Sequence, residues 1–202
     1  NYFVGRVQKD FHKGNTSIGG ILTSVNRFFS QEHLNFLSKQ AYTGGLDFIH
    51  YWKEREYFIT ANFVGSYISG SQEAILRLQR SSARYFQRPD ANHLAVDSSL
   101  SVISGTGGLI GIGKEGNSKL IAGQKIFWRS PGLDLNDIGY MREADVIGSQ
   151  SMVGYRETKP GKILRSYSVV FSLDYNWDFA GVPVKGRSEL ETQFVFNNKW
   201  TG

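Results

Sequence analysis

Period-two alternation over ten or more residues, connections that sort into short and long, and a chain rich in glycine and aromatics predict an all-β fold. The specific expectation is an antiparallel up-and-down transmembrane β-barrel, to which these residues contribute a segment of about nine strands. The 202 residues hold 23 glycines and only 4 prolines, with 10 Tyr and 14 Phe against 4 Trp. Tyr, Phe, Thr, Val and Ile suit a pleated, half-buried surface, so this balance favours strands. Cysteine is absent, which excludes disulfide staples and thiolate metal sites. No stretch approaches the roughly 18 consecutive apolar residues of a transmembrane helix. A mean hydropathy of −0.31 is compatible with a barrel, because lipid-facing and lumen-facing residues alternate and average out.

The elements follow in order. Asn1-Tyr2-Phe3-Val4-Gly5-Arg6-Val7 already reads as strand, which predicts an internal segment with any export signal upstream. Strands are expected at 2–11, 16–26, 40–52, 57–69, 98–113, 118–129, 143–156, 163–177 and 184–197. In the fourth, Tyr57, Ile59, Ala61, Phe63 and Tyr67 share a face opposite Thr60, Asn62 and Ser66. From Arg165 to Trp177 the odd positions carry Tyr167, Val169, Phe171, Leu173, Tyr175 and Trp177, while the even ones are mostly small and polar. That run is far longer than the usual strand of about five or six residues. In the ninth, Leu190, Thr192, Phe194 and Phe196 oppose Lys185, Arg187, Glu189, Glu191 and Gln193, the charged set expected to line the lumen and pair across strands.

Connections separate the candidate architectures. The turns at 12–15, 53–56, 115–117 and around Lys159-Pro160-Gly161 are short, whereas 27–39, 70–97 and 130–142 are long and 178–183 is intermediate. Short turns at one rim and long loops at the other suit a bacterial outer-membrane barrel with its long loops outside the cell. Residues 1–202 then belong to one barrel domain, with 70–97 as a long extracellular loop. A soluble secreted β-sandwich, lectin-like or a glycoside-hydrolase accessory domain, is the competing architecture. It has no reason to sort its loops in this way. Tyr51, Trp52, Phe127, Trp128, Trp177 and Trp200 near strand ends suggest interfacial girdles. Nine is an odd number of strands, and single-chain bacterial barrels close with an even number. Further strands are therefore expected beyond both ends.

Three stretches carry a family resemblance. They are Arg6-Val7-Gln8-Lys9-Asp10 leading into Ser17 to Arg27, then Arg84-Tyr85-Phe86-Gln87-Arg88-Pro89-Asp90, and Trp128-Arg129-Ser130-Pro131-Gly132-Leu133-Asp134-Leu135-Asn136-Asp137-Ile138-Gly139-Tyr140. Their order and spacing resemble a family of Bacteroidetes-type surface proteins of unassigned function. Its members couple an N-terminal carbohydrate-binding domain, related to family 9 of such modules, to a C-terminal barrel. The resemblance covers most of this chain and places it in the barrel part. It implies a structural or transport role in the outer membrane, linked to glycan binding or uptake. Some members are labelled membrane-associated hydrolases.

Candidate chemistry is sparse. Asp134, Asn136 and Asp137 offer oxygen ligands for a calcium ion on an outer loop, although Asx residues beside Pro131-Gly132 are also natural turn formers. No other cofactor is expected. Glycosidase chemistry needs two paired carboxylates; Asp47, Asp97, Asp134, Asp137, Glu143 and Asp145 are available, and the sequence pairs none of them. His12, His33, His50 and His93 lack zinc-site spacing. Gly105-Thr106-Gly107-Gly108 lies within a strand and precedes no helix, so close packing or a bend explains it better than a phosphate loop. Residues 73–88 are strand-poor and could form a short amphipathic helix before Pro89 stops it. Arg77, Arg80, Arg84 and Arg88 would then share a face suited to phosphates or carboxylates of lipopolysaccharide or an acidic polysaccharide. Expected partners are outer-membrane lipid, lipopolysaccharide, polysaccharide and other outer-membrane proteins. The formal charge of +5 comes without a basic run of five or more, which argues against nucleic acid.

Overall fold

The computed structural model describes residues 1–29, 31–137 and 139–202. Ser30 of the 27–39 connection and Ile138 of the 128–140 stretch lie outside the described residues. The fold is all-β, and the described residues form nine strands in a single antiparallel up-and-down sheet whose spatial order is the chain order. They are β1 Tyr2–Phe11, β2 Thr16–Asn26, β3 Gln40–Trp52, β4 Tyr57–Ser69, β5 Val102–Lys114, β6 Leu120–Arg129, β7 Val146–Glu157, β8 Leu164–Trp177 and β9 Pro183–Phe196. These are the strands the alternation marks; the largest difference is at β5, which begins at Val102 and not at 98. A sandwich requires two sheets packed face to face, and the described strands form one. The β-sandwich expectation is therefore corrected.

Pairing sorts every strand residue onto one of two faces. Along β7 and β8 the register Ser151↔Leu173, Val153↔Phe171 and Tyr155↔Val169 puts the apolar set on one face. The intervening pairs Gln150↔Asp174 and Met152↔Ser172 lie on the other. Side chains of the second face reach from β4 across to β9 around one shared cavity: Phe58, Thr60, Lys125, Gln150, Asp174 and Glu189 all line it. That face is therefore the inner one. Arg6 of β1 and Asp47 of β3 form a 2.9 Å ion pair there, meeting over Gly19 of β2, where any Cβ would collide with the Asp47 carboxylate.

The outer face is apolar and exposed on all nine strands. Val7, Leu22, Leu46, Phe63, Ile110, Ile126, Val153, Phe171 and Leu190, one from each strand, are between 40% and 77% exposed. Charged side chains on this face of the strands are Lys9, Lys114, Glu157 and Arg165, all next to the short turns. Aromatic pairs mark both ends of the outer face. Trp52 stacks on Tyr57 at 5.7 Å and Tyr155 lies 6.1 Å from Tyr167 near the short turns. Tyr42 and Tyr67, at 6.5 Å, and Tyr175 and Trp177, at 5.3 Å, sit near the long loops. Adjacent residues of a strand face opposite sides. Trp52 and Trp128 therefore join the outer face, while Tyr51 and Phe127 turn inward.

Two bulges bend the last strands. Arg165 is extra on β8 and Val184 on β9, each where the register skips one residue. The short turns use left-handed residues, His12, Lys13 and Gly14 in the first and Lys53, Glu54 and Arg55 in the second. The long connections fold differently. A single α-helix, α1 Gln72–Gln79, lies in the 70–101 connection, and among the described residues no helix is long and apolar enough to cross a membrane.

Candidate functional site

The long connections converge on the inner face at one rim. Helix α1 starts at Ser71, whose hydroxyl accepts the Ala74 amide at 3.1 Å as an N-cap. Ser71 also donates to the Asn35 carbonyl at 2.5 Å, which ties the 27–39 connection to the helix. The helix buries Ile75 against Val25, Ala41, Ile68 and Ile103, inner-face residues at the ends of β2, β3, β4 and β5. Gln79 is fully buried at its end and exchanges hydrogen bonds with the Asp97 backbone, both at 2.8 Å. The helix is shorter than the 73–88 stretch: it stops at Gln79, and 80–88 continues as turns. Arg77, Arg80, Arg84 and Arg88 therefore do not form one helical stripe.

Each of those arginines has a separate setting. Arg77 lies over the Phe36 ring at 4.7 Å, and Arg80 is exposed. Arg84 is buried; its guanidinium meets Asp134 at 3.0 Å and donates to the Leu133 carbonyl at 2.6 Å. Burial pushes the Arg84 guanidinium below its ordinary value, with Asp134 offsetting only part of the shift. Arg88 pairs with Asp145 at 2.5 Å.

Residues 130–145 fill the next part of the inner face. Leu133 is completely buried, packs with Met141 and Ala144, and rests on Val64 of β4. It lies so close to β5 that a side chain at Gly105 would overlap the backbone of Gly132 and Leu133, and one at Gly107 would meet Leu133 Cδ2 at 2.8 Å. The β5 glycines thus serve close packing, as their position within a strand suggests. Asp134 donates its amide to the Ser66 hydroxyl at 3.0 Å and accepts the Asn136 amide at 2.8 Å, an Asx turn. The Asn136 side chain accepts the Met141 amide at 2.7 Å. Asp137 pairs with Arg27 at 2.5 Å. Burial lowers Arg27, but Asp137 and, after it, Tyr2 together hold the guanidinium above its ordinary value. The three oxygen-bearing side chains expected as calcium ligands are thus each engaged by a different partner.

A different cluster does converge. His93, Asp145 and Asp178, from the connections 70–101, 130–145 and 178–182, place one ligand atom each within 4.8 Å of the others. His93 Nε2 lies 2.9 Å from Asp145 Oδ1, and His93 Nδ1 is 4.0 Å from Asp178. The spacing is within reach of a metal ion. Yet the fully buried Asp145 carboxylate already takes Arg88, His93 and the Phe179 amide, the last at 3.1 Å. Asp178 Oδ1 accepts the amides of Ala180 and Val182. The cluster ties three connections together, with His93 between two carboxylates and Arg88 paired with one of them. Nothing in one sequence aligns residues 93, 145 and 178; their only signal is that each sits in a loop at the same rim.

The other half of the inner face is open and polar. A cavity of about 440 Å³ is lined by Lys125, Gln150, Ser172, Asp174 and Glu189 with Phe58 and Met152. Arg187 pairs with Glu189 of its own strand at 2.8 Å and not across strands. Of the carboxylates available for acid–base work, Asp47, Asp97, Asp134, Asp137 and Asp145 each have an internal partner. No family model matches the chain, and searches of curated proteins and solved structures find no match.

Proposed function

We propose that this chain forms part of the wall of a bacterial outer-membrane β-barrel, with its long-loop rim on the outside and the loops folded inward as a plug. The observation that carries the reading is the exposed apolar outer face on all nine strands. Soluble proteins rarely leave an apolar surface of this extent uncovered, and lipid is the solvent that suits it. Strands of 10 to 14 residues match or exceed the roughly 9–11 needed to span a tilted barrel wall. Charges gather on the inner face, where Arg6, Asp47, Lys125, Asp174 and Glu189 meet a polar interior. Aromatic rows at both ends of the outer face suit the two membrane interfaces.

The role we infer is structural or transport-related and non-catalytic. Packing of α1 and residues 130–145 against the inner face favours a plugged lumen over an open diffusion pore. The link to glycan binding or uptake rests on the resemblance carried by residues 6–27, 84–90 and 128–140. Arg77 and Arg80 are exposed, which supports them as the members of the arginine set that would meet lipopolysaccharide or an acidic polysaccharide.

The test compares neighbours on opposite faces of β8. Phe171→Arg puts a cation on the outer face, where it costs about 2–4 kcal/mol near the bilayer midplane. It should abolish the membrane-inserted, heat-modifiable form. Ser172→Arg points inward beside Glu189 and should insert normally. Equal tolerance of both changes would refute the membrane reading.

A further inference from the structure

Three largely buried carboxylates of the long-loop rim each meet a guanidinium: Asp137 has Arg27, Asp134 has Arg84 and Asp145 has Arg88. Asp178 does not. Its side chain is 7% exposed, and among the described residues no lysine or arginine pairs with it. Its Oδ1 accepts the amides of Ala180 at 2.9 Å and Val182 at 2.8 Å. Its Oδ2 has no hydrogen-bond donor among the described residues and faces His93 Nδ1 at 4.0 Å. A carboxylate withdrawn from water without a counter-charge is costly. The position calls for a cation.

His93 does not supply that charge by direct contact, because 4.0 Å is beyond hydrogen-bond length. The other ring nitrogen is held instead. Nε2 lies 2.9 and 3.0 Å from the two oxygens of Asp145. Arg88 already neutralises that carboxylate at 2.5 Å, so its part toward His93 is to accept the Nε2 proton. That sets the tautomer and leaves a lone pair on Nδ1, the nitrogen on the Asp178 side. Metal-ligating histidines are ordinarily oriented in this way, with the second ring N–H given to a carboxylate.

We propose that His93 Nδ1 and Asp178 Oδ2 bind one divalent transition-metal ion of the zinc class, with Asp145 orienting the imidazole and water completing the coordination. A nitrogen and a carboxylate oxygen together favour such an ion over calcium or magnesium, whose sites are built from oxygen. Bonds of about 2.0–2.2 Å to each ligand bridge the 4.0 Å gap with little movement. His93, 20% exposed, leaves a way in from solvent. The ion joins the 70–101 connection to the 178–182 connection and braces the rim. The site shares no residue with the Asp134, Asn136 and Asp137 set, and it does not depend on the membrane reading.

Calorimetric titration of the untagged 202-residue chain, refolded in detergent, with zinc chloride should show one site. His93→Ala should abolish it, as should Asp178→Asn, which keeps an oxygen for the two amides. Asp145→Asn should weaken it about 10–100-fold. The control is the other histidine pair, His12 and His50, which place Nδ1 3.0 and 2.8 Å from the Thr16 hydroxyl; His50→Ala should leave the affinity unchanged. Hydrogen exchange on the unaltered chain needs no variant. Zinc at about one hundred times its Kd should slow the Ala180 and Val182 amides about 100-fold where opening releases the ion. Failure of the unaltered chain to bind zinc overturns the proposal. So does binding that His50→Ala removes and His93→Ala keeps, full affinity in Asp145→Asn, or bound zinc that leaves those two amides unchanged.

Discussion

Arg84 and Asp134 form an ion pair with side chains 1% and 3% exposed, and the Arg84 Nε remains without a hydrogen-bond partner. A pair of this kind adds little net stability, but removing one member strands the other charge in a low-dielectric interior. Arg84→Ala or Asp134→Ala should each lower unfolding stability by about 3–5 kcal/mol, read by urea titration in lipid vesicles. Arg84→Met combined with Asp134→Leu should recover most of that loss, and failure of the double variant to recover would mean the pair has a role beyond its charge. Asp97 answers to pH. The Ser99 hydroxyl, followed by the Ser99 amide, holds its carboxyl below the ordinary value. A depressed acid contributes stability above its unfolded-state pKa and loses it as pH falls through the folded-state value. The protection of the Ser99 amide, its exchange rate relative to that of an unstructured amide at the same pH, should therefore fall as pH drops through the acid range, and Asp97→Asn should remove that dependence. An unchanged pH profile in the variant would exclude the carboxylate as the cause. At this scale the sequence was legible only locally. The Asx turn at Asp134 follows from residues two apart, whereas the partner of Arg84 lies 50 positions away, and the arginine spacing suggested a surface stripe that the early end of α1 prevents.

Strands and turns were far more legible than the plug. Period-two alternation is set by each strand's own two faces, so β1 to β9 could be read from residues next to one another. The aromatic pairs Tyr51-Trp52 and Phe127-Trp128 were misread as girdle members together, because only one of two adjacent strand residues can face outward. What escaped was the inward folding of the loops, which depends on shape matching between distant segments. Its trace in the sequence is the glycine content of β5. Gly105 and Gly107 leave the space that Leu133 occupies. Gly105→Val should force residues 130–145 off the inner face, at a cost of about 1–3 kcal/mol for overpacking. Ser104→Val, one residue earlier and on the outer face, should be tolerated. Limited proteolysis within 130–145 reads the difference; equal resistance in the two variants would mean that the loop does not depend on contact with β5. The three stretches that carry the family resemblance meet in this same region, through Arg27 with Asp137 and Arg84 with Asp134.

At the scale of the whole molecule, the two rims differ in how much backbone is tied down, and a protease applied to intact cells should report both orientation and packing. Proteolysis needs a segment that opens locally and is reachable. On the long-loop rim, Lys39 and Arg80 are exposed and border the 27–39 and 70–101 connections, and exposed Arg142 lies in the third. Arg84, on the same rim, is buried beneath Leu133. Trypsin should therefore cut after Arg80, Lys39 or Arg142 well before Arg84. The short turns carry exposed Lys13, Lys53 and Arg55, which are chemically good sites. Under the proposed orientation, with the long loops outside the cell, these should be spared in intact cells and become available only when the outer membrane is permeabilised. Arg84→Ala should add cuts within 81–101 on intact cells, because the staple between that connection and residues 130–145 is gone. Early cleavage after Lys13 or Lys53 in intact cells, with the long loops spared, would invert the topology. Cleavage at both rims at equal rates would show that no membrane separates them.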